Sequence, residues 1–147
     1  MNNILITVHS LAATLWIGGI FFAFMILRPI SAQLEPPTRL RLWVNVFRGF
    51  FPWVWGFIAL LVASGYADLI VRFGLSGFYL PRLLAMQIIG WIMILLFAYL
   101  HTILLRRFAA AVDAAYWTEA ATVMVPIRRI MATNLFLGLL LIPIGIA

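Results

Sequence analysis

The chain has 147 residues, of which 66% are hydrophobic and 10% are charged, and its formal net charge is +6. Soluble domains carry roughly 25% charged residues, so this composition excludes a soluble globular domain and indicates an integral membrane protein. The sequence contains no cysteine, which excludes thiolate metal sites, iron–sulfur clusters and disulfides and leaves histidine, methionine, carboxylate and backbone groups as metal ligands.

Four apolar stretches are each long enough for the roughly 20 residues that a membrane-spanning helix needs. They cover about residues 4–27, 50–71, 80–105 and 122–146. Little chain remains for anything else, so we predict an all-α fold in which residues 1–147 form a single transmembrane domain, a four-helix bundle. The first 27 residues contain no lysine or arginine. The first span therefore lacks the basic region of a cleavable signal peptide and is expected to stay in place.

His9 is the only titratable side chain between the N-terminus and Arg28, and it lies inside the first predicted span. An ionisable group within a bilayer is costly and usually faces the bundle interior, where it binds or moves something. Neutral imidazole is also a common ligand of iron, copper and zinc. At about 100° per residue, His9 shares a helix face with Ala13, Trp16 and Ile20. Small residues near the histidine leave room for a flat, bulky group, and they are equally expected where two helices pack closely.

The connection to span two has its own structural signals. Residues 35–38 read Glu-Pro-Pro-Thr, which predicts a rigid turn with Thr38 as a helix N-cap. We expect residues 39–48 to form a helix near the cytoplasmic interface, with a kink at Pro52. Aromatic residues typical of an interfacial belt follow at Phe50, Phe51, Trp53 and Trp55.

Span three carries a stripe formed by Met86, Gly90, Met93 and Phe97, with His101 at its margin. A methionine stripe is more typical of a packed core than of a ligand set, although thioethers do bind soft metals. His101 is either a second metal ligand or an interfacial histidine that only forms hydrogen bonds. Residues 108–121 favour a helix and are expected to extend span three or four into the cytoplasm.

All ten basic residues are arginines, and their distribution predicts the topology. Asp68 and Arg72 have the four-residue spacing of a helical ion pair, and Arg82 opens span three on the same side. The other eight flank the first and third connections: Arg28, Arg39, Arg41, Arg48, Arg106, Arg107, Arg128 and Arg129. The positive-inside rule then places both termini outside a bacterial inner (cytoplasmic) membrane. The net charge is explained by topology and by attraction to anionic membrane lipid, so no nucleic-acid partner is expected.

The two histidines are predicted to lie at different depths. His9 is five residues from Ile4 and His101 is nineteen from Arg82, which at 1.5 Å per residue separates them by roughly 20 Å. Two axial nitrogens on one metal lie only about 4 Å apart. We therefore do not expect the histidines to share an iron within one subunit. At the depth of His9, span three offers Met86 and Gln87.

The first span contains His9, Trp16 and Gly19 in the pattern His-x6-Trp-x-x-Gly, followed by the pairs at 21–22 (Phe-Phe) and 28–29 (Arg-Pro). This pattern resembles the first helix of the CopD-like and HemJ-like membrane proteins. Later motifs are also similar to four-helix members known as CopD family proteins, and the resemblance covers most of the chain. These motifs are residues 51–55, 64–65, 106–107 and 127–138.

Resemblance to the HemJ-like branch implies that a b-type haem is bound by the histidine matching His9 and that protoporphyrinogen IX is oxidised. Resemblance to the CopD branch implies copper. HemJ-like proteins carry a lysine in the third helix, whereas this chain has no lysine. This departure argues against the oxidase activity and leaves the sixth haem ligand open, with Met86 or Gln87 as substitutes.

We therefore expect a redox protein that holds haem b near its outer side, with His9 as an axial ligand. Arg72 and Arg82 would pair with the haem propionates, and a quinone or porphyrinogen would exchange electrons with the haem. One alternative is copper binding or transport by imidazole and thioether groups, namely those of His9, Met86, Met93 and His101. A purely structural or assembly role is a third hypothesis, and homodimer formation is left open.

Overall fold

Long helices joined by short turns make up the chain. The computed structural model describes residues 2–146, so the termini Met1 and Ala147 lie outside the described residues. In chain order the elements are α1 (Asn2–Phe21), a π-helical turn (Phe22–Leu27), α2 (Arg28–Ser31), α3 (Pro36–Phe73), a 3₁₀ turn (Gly74–Tyr79), α4 (Pro81–Tyr99), a second π-helical turn (Leu100–Leu104), α5 (Leu105–Asp113) and α6 (Trp117–Ile146).

The predicted all-helical fold is confirmed. Four helical segments are long and apolar enough to cross a membrane: Asn3–Ser31, Pro36–Tyr79, Pro81–Asp113 and Trp117–Gly145. Each overlaps one predicted span. With 29 to 44 residues, each segment exceeds the roughly 20 residues that cross a bilayer, because the helices continue into the predicted connections.

Helix α3 begins earlier than predicted. Its N-cap is Glu35, and two prolines fill its first turn. The prediction that Thr38 caps this helix is wrong, because proline has no N–H to satisfy and its fixed φ suits the first helical turn. Residues 39–48 are helical, as expected. The helix then continues through Pro52, so these residues belong to the second long helix itself.

Residues 108–121 were predicted to lengthen either span three or span four. They lengthen both, because they are helical on each side of a turn at residues 114–116. The N–H of Tyr116 donates to the carbonyl of Ala111 at 2.8 Å, a bond that closes a helix C-terminus. Ala115 has a φ of 58°, in the left-handed region that favours glycine. This turn reverses the chain between α5 and α6.

The bundle places α1 against α3 and α6, and α4 against α6, while α5 packs on both α3 and α6. Its core is rich in buried aromatic residues: Trp16, Trp43, Phe47, Phe51, Phe97 and Phe108. Many large apolar side chains are instead exposed on the outside, including Trp53 at 68%, Leu95 at 65% and Phe136 at 65%. Helices that are apolar on both their inner and outer faces are typical of a membrane protein.

Candidate cofactor site at His9

The imidazole of His9 is seated directly on the backbone of α3. A Cβ atom added at Gly65 would lie 2.9 Å from Cε1 and 3.1 Å from Nδ1 of the His9 ring. Both distances are shorter than ordinary van der Waals contacts, so only glycine lets the ring approach this closely. Helix α3 therefore fixes the position of an imidazole contributed by α1.

Hydrogen bonds define the proton position on His9. Its Nδ1 lies 3.1 Å from the carbonyl oxygen of Leu61, and since a carbonyl can only accept, Nδ1 carries the proton and donates it. The hydroxyl of Ser64 lies 3.3 Å from the same Nδ1 and donates its own proton to the carbonyl of Leu60 at 2.5 Å. In the neutral ring, Nε2 therefore keeps its lone pair. A histidine that binds a metal commonly has this arrangement, with its second ring N–H donated to a backbone carbonyl.

His101 has the opposite arrangement. The indole N–H of Trp55 donates to Nδ1 of His101 at 2.6 Å, so Nδ1 is the acceptor and the neutral ring carries its proton on Nε2. Aromatic rings surround this imidazole, with centroid distances of 5.6 Å to Phe51 and 5.9 Å to Phe97. Of the two roles predicted for His101, these contacts fit a hydrogen-bonded histidine in an aromatic cluster better than a metal ligand.

The two histidines contact different levels of the same helix. His9 meets α3 at residues 61–65, whereas His101 meets it at residues 51–55. Ten residues of α-helix correspond to about 15 Å along the axis. This separation agrees with the expectation that the two rings do not share a metal within one chain.

Gln87 is hydrogen-bonded to Tyr66, which is adjacent to Gly65 along α3. Since Gly65 contacts His9, Gln87 lies at the level of His9, as predicted. The Tyr66 hydroxyl donates to Oε1 of Gln87 at 3.0 Å and accepts a bond from the indole of Trp91. The Nε2 group of Gln87 donates to the carbonyls of residues 78 and 83. Both ends of the amide are thus engaged in holding α3, α4 and the 3₁₀ turn together.

The other apolar candidates lie in helix contacts. Met86 directs its methyl carbon toward α6, where it would be 3.6 Å from a Cβ placed on Gly145. Met93 is 1% exposed and packs in the core, as a methionine stripe generally does. Trp16 is also buried, and its ring meets that of Phe97 edge-on at 6.3 Å. The structure therefore places Trp16 in the bundle core, two helical turns along α1 from His9.

The two arginines predicted at the outer end differ in their partners. Nε of Arg72 lies 3.2 Å from Oδ1 of Asp68, which confirms the ion pair predicted from the spacing. Arg82 is exposed in the first turn of α4. Among the ion pairs of residues 2–146, none involves Arg82, so its guanidinium is the more available of the two.

The sequence did not predict that three groups of α3 lie beside His9: the Leu61 carbonyl, the Ser64 hydroxyl and the Gly65 backbone, although residues 64–65 belong to the motifs of the family resemblance. The Ser-Gly pair at 64–65 was a detectable signal, because small residues are common where helices approach closely. Within residues 2–146 no group of three or more His, Cys, Asp or Glu side chains is arranged to hold a metal ion. Within these residues, His9 therefore does not belong to a cluster of three or more such side chains.

No protein-family model, curated protein or solved structure matches the chain.

Proposed function

We propose that this chain is a haem b-binding redox protein of a bacterial inner membrane, with His9 as one axial ligand. The observation that carries the proposal is the hydrogen bond from Nδ1 of His9 to the Leu61 carbonyl. This bond fixes the tautomer that presents the Nε2 lone pair, as in metal-bound histidines generally. The close seat on Gly65 supports it further, because it restricts the orientation of the ring.

The number of protein donors favours haem over a bare metal ion. A porphyrin supplies four nitrogen ligands by itself, so a single histidine is enough to hold its iron in some haem proteins. Copper would need several protein ligands. The proposed set of His9, Met86, Met93 and His101 is spread over different helix contacts. The copper alternative therefore has less support, and Met86 and Gln87 remain candidates for a sixth ligand only if they rearrange.

Bound haem would supply one-electron redox chemistry, while the protein sets ligation, polarity and access. The residues of this chain would contribute an oriented imidazole, a neighbouring small-residue surface and an available guanidinium at Arg82. A quinone or a porphyrinogen is the proposed electron partner. The arginine distribution supports outer termini, with the arginine-rich connections in the cytoplasm.

The decisive experiment is an absorption spectrum of detergent-purified protein produced with ample haem supply. We expect a Soret band in the wild-type protein and its loss in His9→Ala. His101→Ala is the matched control and should keep most of the haem. A colourless wild-type protein that contains copper by elemental analysis would refute the haem proposal in favour of the copper alternative. Equal haem loss in both variants would refute the assignment of His9 alone.

Topology is tested separately by a reporter fused after Ala147. The proposed orientation predicts an active periplasmic phosphatase fusion and a dark cytoplasmic fluorophore fusion. The reverse pattern would refute the orientation and the outer placement of His9 together. The fusion experiment measures no haem absorbance, so its outcome is independent of haem binding.

A further inference from the structure

A groove lies between α3 and α5, at the end of the bundle opposite to His9 along α3. Its volume is about 280 Å³. Positions 41, 45 and 48 of α3 share one helix face, because they are four and seven residues apart. The lining residues are Arg41, Val44, Asn45, Arg48, Val112 and Asp113. The groove thus combines two guanidinium groups and a carboxamide above two buried valines.

The charges in this groove leave hydrogen-bond donors available to an anion. Arg48 lies 3.8 Å from Asp113, and the two side chains are 55% and 66% exposed, so this ion pair is weak. The guanidinium of Arg41 lies 5.2 Å from the ring centroid of Trp117, a cation–π contact that positions it without using its N–H donors. Two cations therefore face one carboxylate.

Neighbouring aromatic residues indicate the depth of the groove. Trp53 is 68% exposed and follows Arg48 by five residues along α3. Tryptophan is enriched where the hydrocarbon core meets the headgroups. In the proposed membrane placement, Arg48 therefore lies one to two helical turns farther from the bilayer centre than Trp53, among the cytoplasmic headgroups. Trp117, at the start of α6, contacts the groove at the same level.

We infer that this groove binds the phosphate of an anionic phospholipid headgroup. Arginine can bind a phosphate through two parallel N–H···O bonds, and the Asn45 amide adds a further donor. The depth indicated by exposed Trp53 favours a lipid over inorganic phosphate, because a site among the headgroups is surrounded by phospholipid phosphates. The inference rests on the proposed membrane placement and is independent of haem binding.

Native mass spectrometry of the detergent-solubilised protein can test this site by counting bound lipids during titration with phosphatidylglycerol. Arg41→Gln and Arg48→Gln should each weaken binding roughly fivefold, as expected for one arginine near an anionic headgroup. Arg107→Gln, an exposed arginine of α5 outside the groove, is the matched control and should change it little. Equal weakening by all three would show diffuse charge attraction and overturn the assigned site.

A variant that is expected to bind the lipid more tightly provides a further test, because misfolding could only weaken binding. Asp113→Asn removes the one carboxylate in the groove and should strengthen phosphatidylglycerol binding, whereas Glu119→Asn makes the same change in charge at an exposed site in the first turn of α6 and should have little effect. Equal strengthening by both would overturn the site. Inorganic phosphate that binds through Arg41 and Arg48 as well as the lipid does would overturn the lipid assignment. His9→Ala should leave lipid binding unchanged, so failure here is distinct from failure of the haem proposal.

Discussion

Nδ1 of His9 lies 3.1 Å from the carbonyl oxygen of Leu61, fifty-two residues away in the sequence. The bond joins α1 to α3 and assigns the ring proton, which leaves Nε2 as the nitrogen with a lone pair. The half-buried imidazole thus has Nδ1 in a hydrogen bond and keeps the lone pair on Nε2.

Gly65→Ala should lower haem content without removing the proposed ligand. The added methyl would lie 2.9 Å from Cε1 of His9, so the ring or the helix must shift, at a cost of about 1–3 kcal/mol in the free energy of unfolding. Gly56→Ala on the same helix is the control, because nothing lies within 4 Å of its new methyl group. Haem absorbance and thermal unfolding measure the two effects. Equal haem content and equal stability of the two variants would contradict the close contact between Gly65 and His9.

Trp55→Phe should destabilise the fold while sparing haem. The substitution removes the N–H that donates to Nδ1 of His101, a bond whose net contribution is about 1 kcal/mol. Thermal unfolding in detergent should therefore occur at a lower temperature, with haem content near that of the wild type. Haem loss comparable with that of His9→Ala would instead show that His101 takes part in cofactor binding.

Arg82→Gln should weaken haem retention or lower the haem midpoint potential. The proposed outer site would place a propionate within reach of Arg82, and removing a nearby positive charge favours the oxidised, more positive iron. Arg106→Gln is the control, since Arg106 lies at the opposite end of the third long helix. Indistinguishable haem content and redox titrations for the two variants would leave Arg82 as an interfacial anchor.

Asn134→Leu should be tolerated, although Asn134 is only 3% exposed. Its Nδ2 donates to the carbonyl of Met93 at 3.2 Å, but its Oδ1 has no hydrogen-bond partner within the described chain. Since an unsatisfied buried acceptor costs about 1–3 kcal/mol, an apolar replacement of similar size offsets the lost bond. Thermal unfolding should change little for Asn134→Leu and fall strongly for Asn134→Asp, which buries a charge. A large loss with leucine would show that Oδ1 is satisfied in solution.

Ala115→Gly should stabilise the turn between α5 and α6. Ala115 has a φ of 58°, where a Cβ atom costs about 1–2 kcal/mol. Ala114→Gly is the control, because Ala114 has a φ of −85° and glycine there only adds freedom to the unfolded chain. The free energy of unfolding should rise for the first variant and fall for the second. A fall in both would mean that the turn relaxes.

Several features followed from local sequence alone. Hydropathy predicted four long helices because each span carries its own apolar signal, and the i, i+4 spacing predicted the Asp68–Arg72 pair. His9 was identifiable as a candidate since it is the one titratable group in an apolar stretch. One local prediction, that α3 begins with Thr38 as its N-cap, was wrong. The two prolines before Thr38 are compatible both with a turn and with the first turn of a helix, and the sequence does not distinguish the two.

The partners of the candidate groups were decided by tertiary structure. His9 bonds to Leu61, His101 accepts from Trp55, and Gln87 is engaged by Tyr66, over separations of 52, 46 and 21 residues. Each contact depends on how the helices rotate and slide against one another. A soluble helix encodes that rotation in a polar face, but these helices are apolar on both their inner and outer sides. Their sequence therefore determined which residues are helical, while only the packed bundle determined which imidazole keeps a free Nε2 lone pair.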